Sequence, residues 1–167
     1  SCTTESINEN SSSTDVEHAS SLNVQLGLHY LQQTNMSRAK QKILLAVKQN
    51  PSPQSYGALA YFYEQTNEIP EAEQYYLKAI KEAPSAGAGH NNYGAFLCRQ
   101  KQYKLADNQF MLAVNDPNYL NDAGAYENAG LCALLIPDNT KATAYFQKAI
   151  QQNPRMSVSL QQLSQLS

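Results

Sequence analysis

The chain has 167 residues and is nearly neutral, with 12 Lys and Arg against 14 Asp and Glu and a net charge of -2. No cluster of Lys or Arg stands out, which argues against a nucleic-acid-binding surface, and no apolar run reaches the roughly 18 residues that span a bilayer. The length allows one hydrophobic core or a short stack of repeats.

The first nineteen residues differ in composition from the rest of the chain. Residues 1–19 have almost no large apolar side chains and are rich in Ser, Thr, Asn and Glu. Such a segment buries too little surface to offset the entropy that it loses on ordering. We therefore predict a flexible polar tether over residues 1–19, and we expect the folded part to begin near Ser20.

Cys2 lies at the head of this tether. Two interpretations are open: an incidental thiol in a cloning remnant, or the lipid-modified first residue of a mature bacterial lipoprotein. Several acyl chains, at about 0.8 kcal/mol per buried CH₂, would hold such a protein stably on a membrane. An apolar segment ending in small residues just before Cys2 would support the lipoprotein.

Beyond Ser20 the chain repeats a pattern of small residues. A Gly or Ala is followed twelve residues later by an Ala and seven residues after that by another Ala, and successive patterns start 33, 34 and 36 residues apart. The four sets are Gly27-Ala39-Ala46, Ala60-Ala72-Ala79, Gly94-Ala106-Ala113 and Gly130-Ala142-Ala149. A period near 34 predicts stacked helix-turn-helix repeats, here over residues 20–52, 53–86, 87–122 and 123–156.

Large residues also recur at fixed positions when the first small residue of each repeat is numbered 8. Helix A is then expected at about positions 1–14 and helix B at about positions 16–29. Small residues at positions 8 and 20 let the two helices approach closely, and large residues at positions 11 and 24 fill the space beside them. Position 11 holds Tyr30, Tyr63, Leu97 and Ala133, and position 24 holds Ile43, Tyr76, Phe110 and Phe146.

These positions together resemble the tetratricopeptide repeat. The family pattern has a small residue at 8, an aromatic at 11, Ala at 20 and 27, a large apolar residue at 24 and Pro at 32. Pro51, Pro84 and Pro154 occupy position 32, whereas Pro117 comes one residue early. The resemblance implies an all-α fold, a right-handed superhelix (α-solenoid) of about four repeats plus a partial fifth, that serves as a protein-binding scaffold.

Residues 155–167 start a fifth repeat without finishing it. Leu160 and Leu163 occupy positions 4 and 7. The segment is either a single capping helix, as terminal repeats often provide, or the start of a repeat in a truncated chain. Because no helix B follows, we favour truncation.

The other two cysteines, Cys98 and Cys132, fall on successive A helices. Stacking would place them side by side, either as buried free thiols or, in an oxidising compartment, as a disulfide. A bridge would add roughly 3–4 kcal/mol in the chain-entropy model. We expect no metal site, because the chain has no CxxC or CxxH pair and its three His residues are dispersed.

One stretch of the sequence matches a narrower family than the general repeat pattern does. It reads HNNYGAFLCRQKQYKLADNQFMLAVNDPNY and is followed by AYENAGLCALL and AYFQKAIQQNP. Its Asn-Asn-Tyr-Gly segment at residues 91–94, its lengthened turn at residues 117–121, and Asn128, Gly130 and Cys132 resemble the type IV pilus pilotin family (PilF/PilW-like). The resemblance covers about residues 20–167.

This second resemblance implies a cellular location and a binding partner. Pilotins of the family are lipoproteins on the periplasmic face of the bacterial outer membrane that help the pilus secretin reach that membrane and form its multimer. A Cys98–Cys132 disulfide and acylation of Cys2 both fit that setting. The family has about six repeats, so this chain departs from it in length.

Partner binding is expected on the inner face, which helix A lines with positions 2, 5, 9, 12 and 13. Val24, Leu28 and Leu31 form an apolar row there, which we expect to receive an amphipathic segment of the secretin unless the tether or another repeat covers it. The remaining candidates on this face are Tyr61, Asn91, Arg99, Glu127 and Leu131. Most of the Tyr residues fall at packing positions, with Tyr119 in the long turn as the exception, and Asn92 and Asn128 are expected to be structural.

We expect neither an enzyme nor a cofactor or small-molecule substrate. No Ser/His/Asp or Cys/His set shares a pocket, and there is no phosphate-binding loop. A chaperone adaptor that clamps a peptide carboxylate needs Lys or Arg and Asn at inner positions, where the first repeat has Val24 and Leu28. The alternatives to the pilotin are a periplasmic lipoprotein scaffold for cell-wall enzymes and a generic tetratricopeptide adaptor or co-chaperone.

Overall fold

A computed structural model describes residues 8–167, with side chains from residue 12 onward. The described residues form nine helices: α1 (Asn8–Gln32), α2 (Met36–Gln49), α3 (Pro53–Gln65), α4 (Ile69–Glu82), α5 (Gly87–Arg99), α6 (Tyr103–Val114), α7 (Asp122–Leu135), α8 (Asn139–Gln152) and α9 (Ser157–Leu166). They divide into an N-terminal unit that ends at Glu82 and a C-terminal unit from Ala83 to Ser167.

Four helix pairs correspond to the four predicted repeats. The N-terminal unit contains α1–α2 and α3–α4, and the C-terminal unit contains α5–α6 and α7–α8 followed by α9. Apart from the start of α1, every boundary of these helices lies within one residue of its expected position. The predicted all-α tetratricopeptide architecture is confirmed.

The small residues at fixed positions are the points at which paired helices touch. All eight Ala residues at positions 20 and 27 are at most 2% exposed. A Cβ atom added at Gly94 would lie 2.8 Å from the Phe110 ring, and one added at Gly130 would lie 2.6 Å from the Phe146 ring. Because real Cβ atoms essentially never lie that close, a side chain at either position would force the facing ring to shift.

The turn between helices A and B has the same backbone conformation in three repeats. Thr34, Asn67 and Lys101, all at position 15, have φ angles of 58°, 59° and 64°. This left-handed conformation ends a helix and reverses the chain. The fourth repeat has Pro137 at position 15, and because the proline ring fixes φ near −65°, its turn cannot take the same form.

Helix α1 starts earlier than the sequence analysis expected. It begins at Asn8, so residues 8–19 of the predicted flexible tether are helical. Residues 12–18 are exposed, and Ser20 is the first buried side chain, with its hydroxyl donating to the Ala46 carbonyl at 2.8 Å. A helix nucleated by packing can extend outward because each added residue gains a hydrogen bond. Cys2 lies outside the described residues.

The start of the fifth repeat forms the single helix α9. It packs against α8 and α7 of the C-terminal unit. Ser159 is its buried residue, whereas Leu160, at position 4, is 48% exposed.

Candidate functional site

The apolar row predicted on the first helix lies largely in the core. Val24 is 3% and Leu31 is 7% exposed, and both belong to the same buried cluster as Leu59 and Phe62 of α3. Leu28 is half-buried against that cluster. The expectation of an exposed inner row is therefore corrected: α1 packs against both α2 and α3, and these side chains fill the space between the helices.

A different face of α1 is apolar and exposed. Leu22 and Leu26, at positions 3 and 7, are 46% and 44% exposed. In the second repeat the same positions are Ser55 and Leu59, which are buried where α3 packs against the preceding helix α2. The sequence carried this signal, because side chains four residues apart lie on one face of a helix. The other candidate in this unit, Tyr61, is 38% exposed on α3.

In the C-terminal unit, a chain of hydrogen bonds ties two A helices to the long turn between them. The side-chain amide of Asn128 donates to the Asn91 carbonyl oxygen at 3.1 Å, and the Asn91 amide donates to the Tyr119 hydroxyl at 3.2 Å. Asn91 is buried, and burial raises the pKa of the half-buried Tyr119 phenol. Asn91 is thus engaged within the protein and joins α5, α7 and the turn.

The same turn is fixed to the start of α5 by a carboxylate. Asp116 accepts hydrogen bonds from the backbone N–H groups of Gly87 and Asn118, each at 2.9 Å. These bonds favour the charged form and lower the pKa of Asp116. Gly87 also lets the Tyr119 ring approach, since a Cβ there would lie 2.5 Å from the ring. These contacts therefore fix the turn against the start of α5.

Another predicted binding residue supports the last helix. The Glu127 carboxylate of α7 accepts hydrogen bonds from the Ser159 backbone N–H at 3.1 Å and from its hydroxyl at 2.8 Å. A carboxylate at this site satisfies an otherwise unpaired donor in the first turn of α9. Of the remaining candidates, Arg99 is exposed on α5 and Leu131 is half-buried on α7.

Cys98 of α5 and Cys132 of α7 form a disulfide, with their Cα atoms 6.0 Å apart. The two residues are 34 positions apart, the length of one repeat. The bond therefore links the A helices of the third and fourth repeats, which also pack against each other. Of the two arrangements that the sequence left open, the structure has the disulfide.

A pocket of about 420 Å³ opens beside this disulfide, between α6, α7 and α8. Its apolar wall comes from α7 and the residue that follows it, and includes Cys132, Ala133 and Ile136. Ala133 stands at position 11, where the other three repeats have Tyr or Leu. The missing large side chain accounts for the pocket.

Polar side chains line the α6 and α8 sides of this pocket. Lys141 of α8 forms an ion pair with Asp107 of α6 at 3.0 Å, and Asp107 also accepts a hydrogen bond from the Tyr145 hydroxyl at 2.6 Å. Burial, followed by the bond to Asp107, raises the pKa of Tyr145. Tyr103 and Lys104 complete the α6 side.

Residues 8–167 contain no candidate metal site and no candidate membrane-spanning helix. No group of three or more His, Cys, Asp or Glu side chains there could hold a metal ion. No helix in that range is long and apolar enough to cross a membrane.

Comparison with known proteins identifies a matching family and two related proteins. The tetratricopeptide repeat family model matches residues 24–87. An uncharacterised protein of Haemophilus influenzae is 38% identical over 128 residues, which are 76% of this chain and 72% of that protein. The type IV pilus assembly protein PilF of Pseudomonas aeruginosa is 34% identical over 131 residues, which are 78% of this chain, and the chain spans about half (52%) of PilF.

Solved structures agree with these relationships. The structure of Pseudomonas aeruginosa PilF superposes with a TM-score of 0.77 at 30% identity, covering 91% of this chain and 69% of that one. PilW, a widely conserved type IV pilus biogenesis factor, superposes with a TM-score of 0.76 at 24% identity, covering 88% of this chain and 68% of PilW. The PilW match shows the shared fold.

Proposed function

Because the chain belongs to the tetratricopeptide repeat family and is related to the type IV pilus assembly protein PilF, we propose that it is a pilotin, a binding scaffold that brings the pilus secretin to the outer membrane and aids its assembly into a multimer. The identity with PilF, 34% over 131 residues, is the observation that carries the proposal. The repeats supply a scaffold of paired helices, and the secretin would supply the bound segment.

The disulfide supports a periplasmic location for this function. Disulfides such as Cys98–Cys132 persist in oxidising compartments, and the bacterial periplasm is one of them. In the proposal the chain faces the periplasm and is held at the outer membrane by a lipid on Cys2. Labelling cells with radioactive palmitate tests the anchor. The protein should carry the label and Cys2→Ser should not, whereas an unlabelled protein would contradict lipid anchoring.

The exposed face of α1 is the surface that we assign to the secretin. Leu22 and Leu26 present apolar side chains at positions that face a preceding helix B in the second and fourth repeats, as Ser55 and Leu59 of α3 do. An amphipathic helix of the secretin would occupy the corresponding place against α1, with its apolar side toward the two leucines. This assignment replaces the row of Val24, Leu28 and Leu31, of which two members are buried.

Secretin multimers in a piliated host test the function and the surface together. Deleting the gene should reduce detergent-resistant secretin multimers in the outer membrane, and the wild-type gene should restore them. The double variant Leu22→Asp/Leu26→Asp should fail to restore them, whereas Leu77→Asp should succeed, because Leu77 is equally exposed (46%) but lies on α4.

Each outcome of this experiment bears on a separate claim. Unchanged multimers after deletion would contradict the pilotin function. Full restoration by a folded Leu22→Asp/Leu26→Asp variant would contradict the surface alone. Recovery of a cell-wall enzyme or a chaperone with the tagged protein, in place of the secretin, would favour the alternative scaffold or adaptor functions.

A further inference from the structure

The pocket beside the disulfide lies where two other repeats hold an aromatic ring. In the first repeat, position 11 is Tyr30, and the Arg38 guanidinium at position 19 lies 5.7 Å from the centre of its ring. In the fourth repeat, position 11 is Ala133, and the cation at position 19 is Lys141, which lines the pocket. The cation is retained and the ring at position 11 is missing, and the Lys141 ammonium lies 5.7 Å from the centre of the Tyr145 ring instead.

The second repeat shows how such a ring is held from its other sides. Tyr63, at position 11, stacks on Tyr75 with ring centres 5.6 Å apart, and Lys40 of the preceding helix B lies 5.9 Å from the Tyr63 ring centre. In the fourth repeat, Tyr145 stands at the position of Tyr75, and Asp107 at that of Lys40. Asp107 reverses the charge found at the Lys40 position and is paired with Lys141, so the fourth repeat retains the neighbouring tyrosine and one cation beside a space of about 420 Å³, within the usual range for binding pockets.

We propose that this pocket binds an aromatic side chain of a partner protein segment in which the aromatic residue is next to a carboxylate. The inserted ring would contact Ala133 and Ile136 and lie near Lys141, where a cation stabilises the face of a ring. The site belongs to the C-terminal unit alone and is independent of the pilotin proposal.

The carboxylate of the partner segment is inferred from the charged side chains that line the pocket. Two lysines, Lys104 and Lys141, line it together with one carboxylate, Asp107. Lys141 is paired with Asp107, whereas Lys104 is exposed and forms no ion pair with any residue that the structure describes. The side chains that line the pocket therefore carry one more positive than negative charge, which attracts an acidic neighbour of the bound ring and disfavours a basic one.

Short peptides test the pocket in the intact chain by nuclear magnetic resonance. We expect acetyl-Gly-Phe-Glu-Gly-amide to shift the methyl signals of Ala133 and Ile136 in a saturable way, with a Kd of about 1 mM. The Phe→Ala peptide should produce no shift, and the Phe-Lys peptide should bind several-fold more weakly. Absence of saturable shifts with the Phe-Glu peptide, or equal binding of all three, would overturn the proposal.

Substitutions in the pocket provide the second test. Ala133→Tyr supplies the missing ring from within, so the variant should remain folded and lose peptide binding at least tenfold. Lys104→Glu should weaken binding several-fold, while Lys81→Glu, at an exposed position of the N-terminal unit, should not. Unchanged binding in a folded Ala133→Tyr variant would overturn the site, and if that variant does not fold, the Lys104 comparison decides.

A second copy of the chain is the competing occupant. In that case the Ala133 and Ile136 signals would shift with protein concentration in the absence of peptide, and sedimentation would show a dimer that Ala133→Tyr abolishes. That result would overturn the proposal of a separate partner segment.

Discussion

The side-chain amide of Asn91 donates a hydrogen bond to the Tyr119 hydroxyl at 3.2 Å, which joins helix α5 to a turn 28 residues later in the chain. Tyr119→Phe should lower the free energy of unfolding by about 1 kcal/mol, because the buried Asn91 amide loses its acceptor. Urea unfolding measures the loss. Tyr103→Phe, at the half-buried start of α6, is the control, and an equal loss in both variants would argue against a special role for the Asn91 bond.

The acid sensitivity of the protein should depend on Asp116. Its folded-state pKa is lowered by hydrogen bonds from Gly87 and Asn118, so the stability that it contributes is present above the ordinary carboxyl pKa of about 4 and is lost as the pH falls through the folded pKa. Asp116→Asn should therefore lose less stability than the wild type on acidification. Urea unfolding at pH 7 and at lower pH measures the difference. Asp15→Asn, on the exposed start of α1, should behave as the wild type does.

Replacing Lys101 by Gly should stabilise the protein. Its φ of 64° places a residue with a Cβ in the left-handed region, which costs about 1–2 kcal/mol. Lys101→Gly removes that cost but gives the unfolded chain more freedom, so we expect a net gain of about 0.5–1 kcal/mol. Thermal unfolding measures it. Lys48→Gly, within α2, should instead lose about 1 kcal/mol, and a loss at Lys101 as well would contradict the assigned backbone conformation.

The disulfide between Cys98 and Cys132 should contribute strongly to stability. Closing a loop of 34 residues lowers the entropy of the unfolded chain, which corresponds to about 4 kcal/mol in the chain-entropy model. The variant Cys98→Ala/Cys132→Ala should unfold at correspondingly lower denaturant, and reduction of the wild type with dithiothreitol should produce a similar shift. No shift on reduction would show that the bond does not constrain the chain in solution.

Much of the fold could be predicted from the sequence because its packing rule is local. Helices A and B meet where a small side chain faces a large one, as at Gly94 and Phe110. The positions of both helices can therefore be predicted from each repeat separately. The start of α1 could not be predicted in this way. Residues 8–19 have the composition of a tether, and their helix continues from the packed part of α1 without burying side chains of its own over residues 12–18.

The candidate sites were harder to predict because position in the repeat does not fix exposure. Val24 and Leu31 occupy inner-face positions, yet they are buried because α1 packs against α2 and α3 and brings them beside Leu59 and Phe62. Asn91 and Glu127 likewise occupy inner positions, but Tyr119 and Ser159 engage them. Ala133 did indicate a cavity, since a small residue at position 11 leaves a space. The shape of that space could not be predicted, because three helices form it.

Direct binding of the purified chain to the purified secretin of the same organism tests the central claim of the account most directly. Isothermal titration calorimetry should show saturable binding that is lost in Leu22→Asp/Leu26→Asp and retained in Leu77→Asp. Absence of any binding between the folded chain and the folded secretin would contradict the claim that this scaffold is a pilotin.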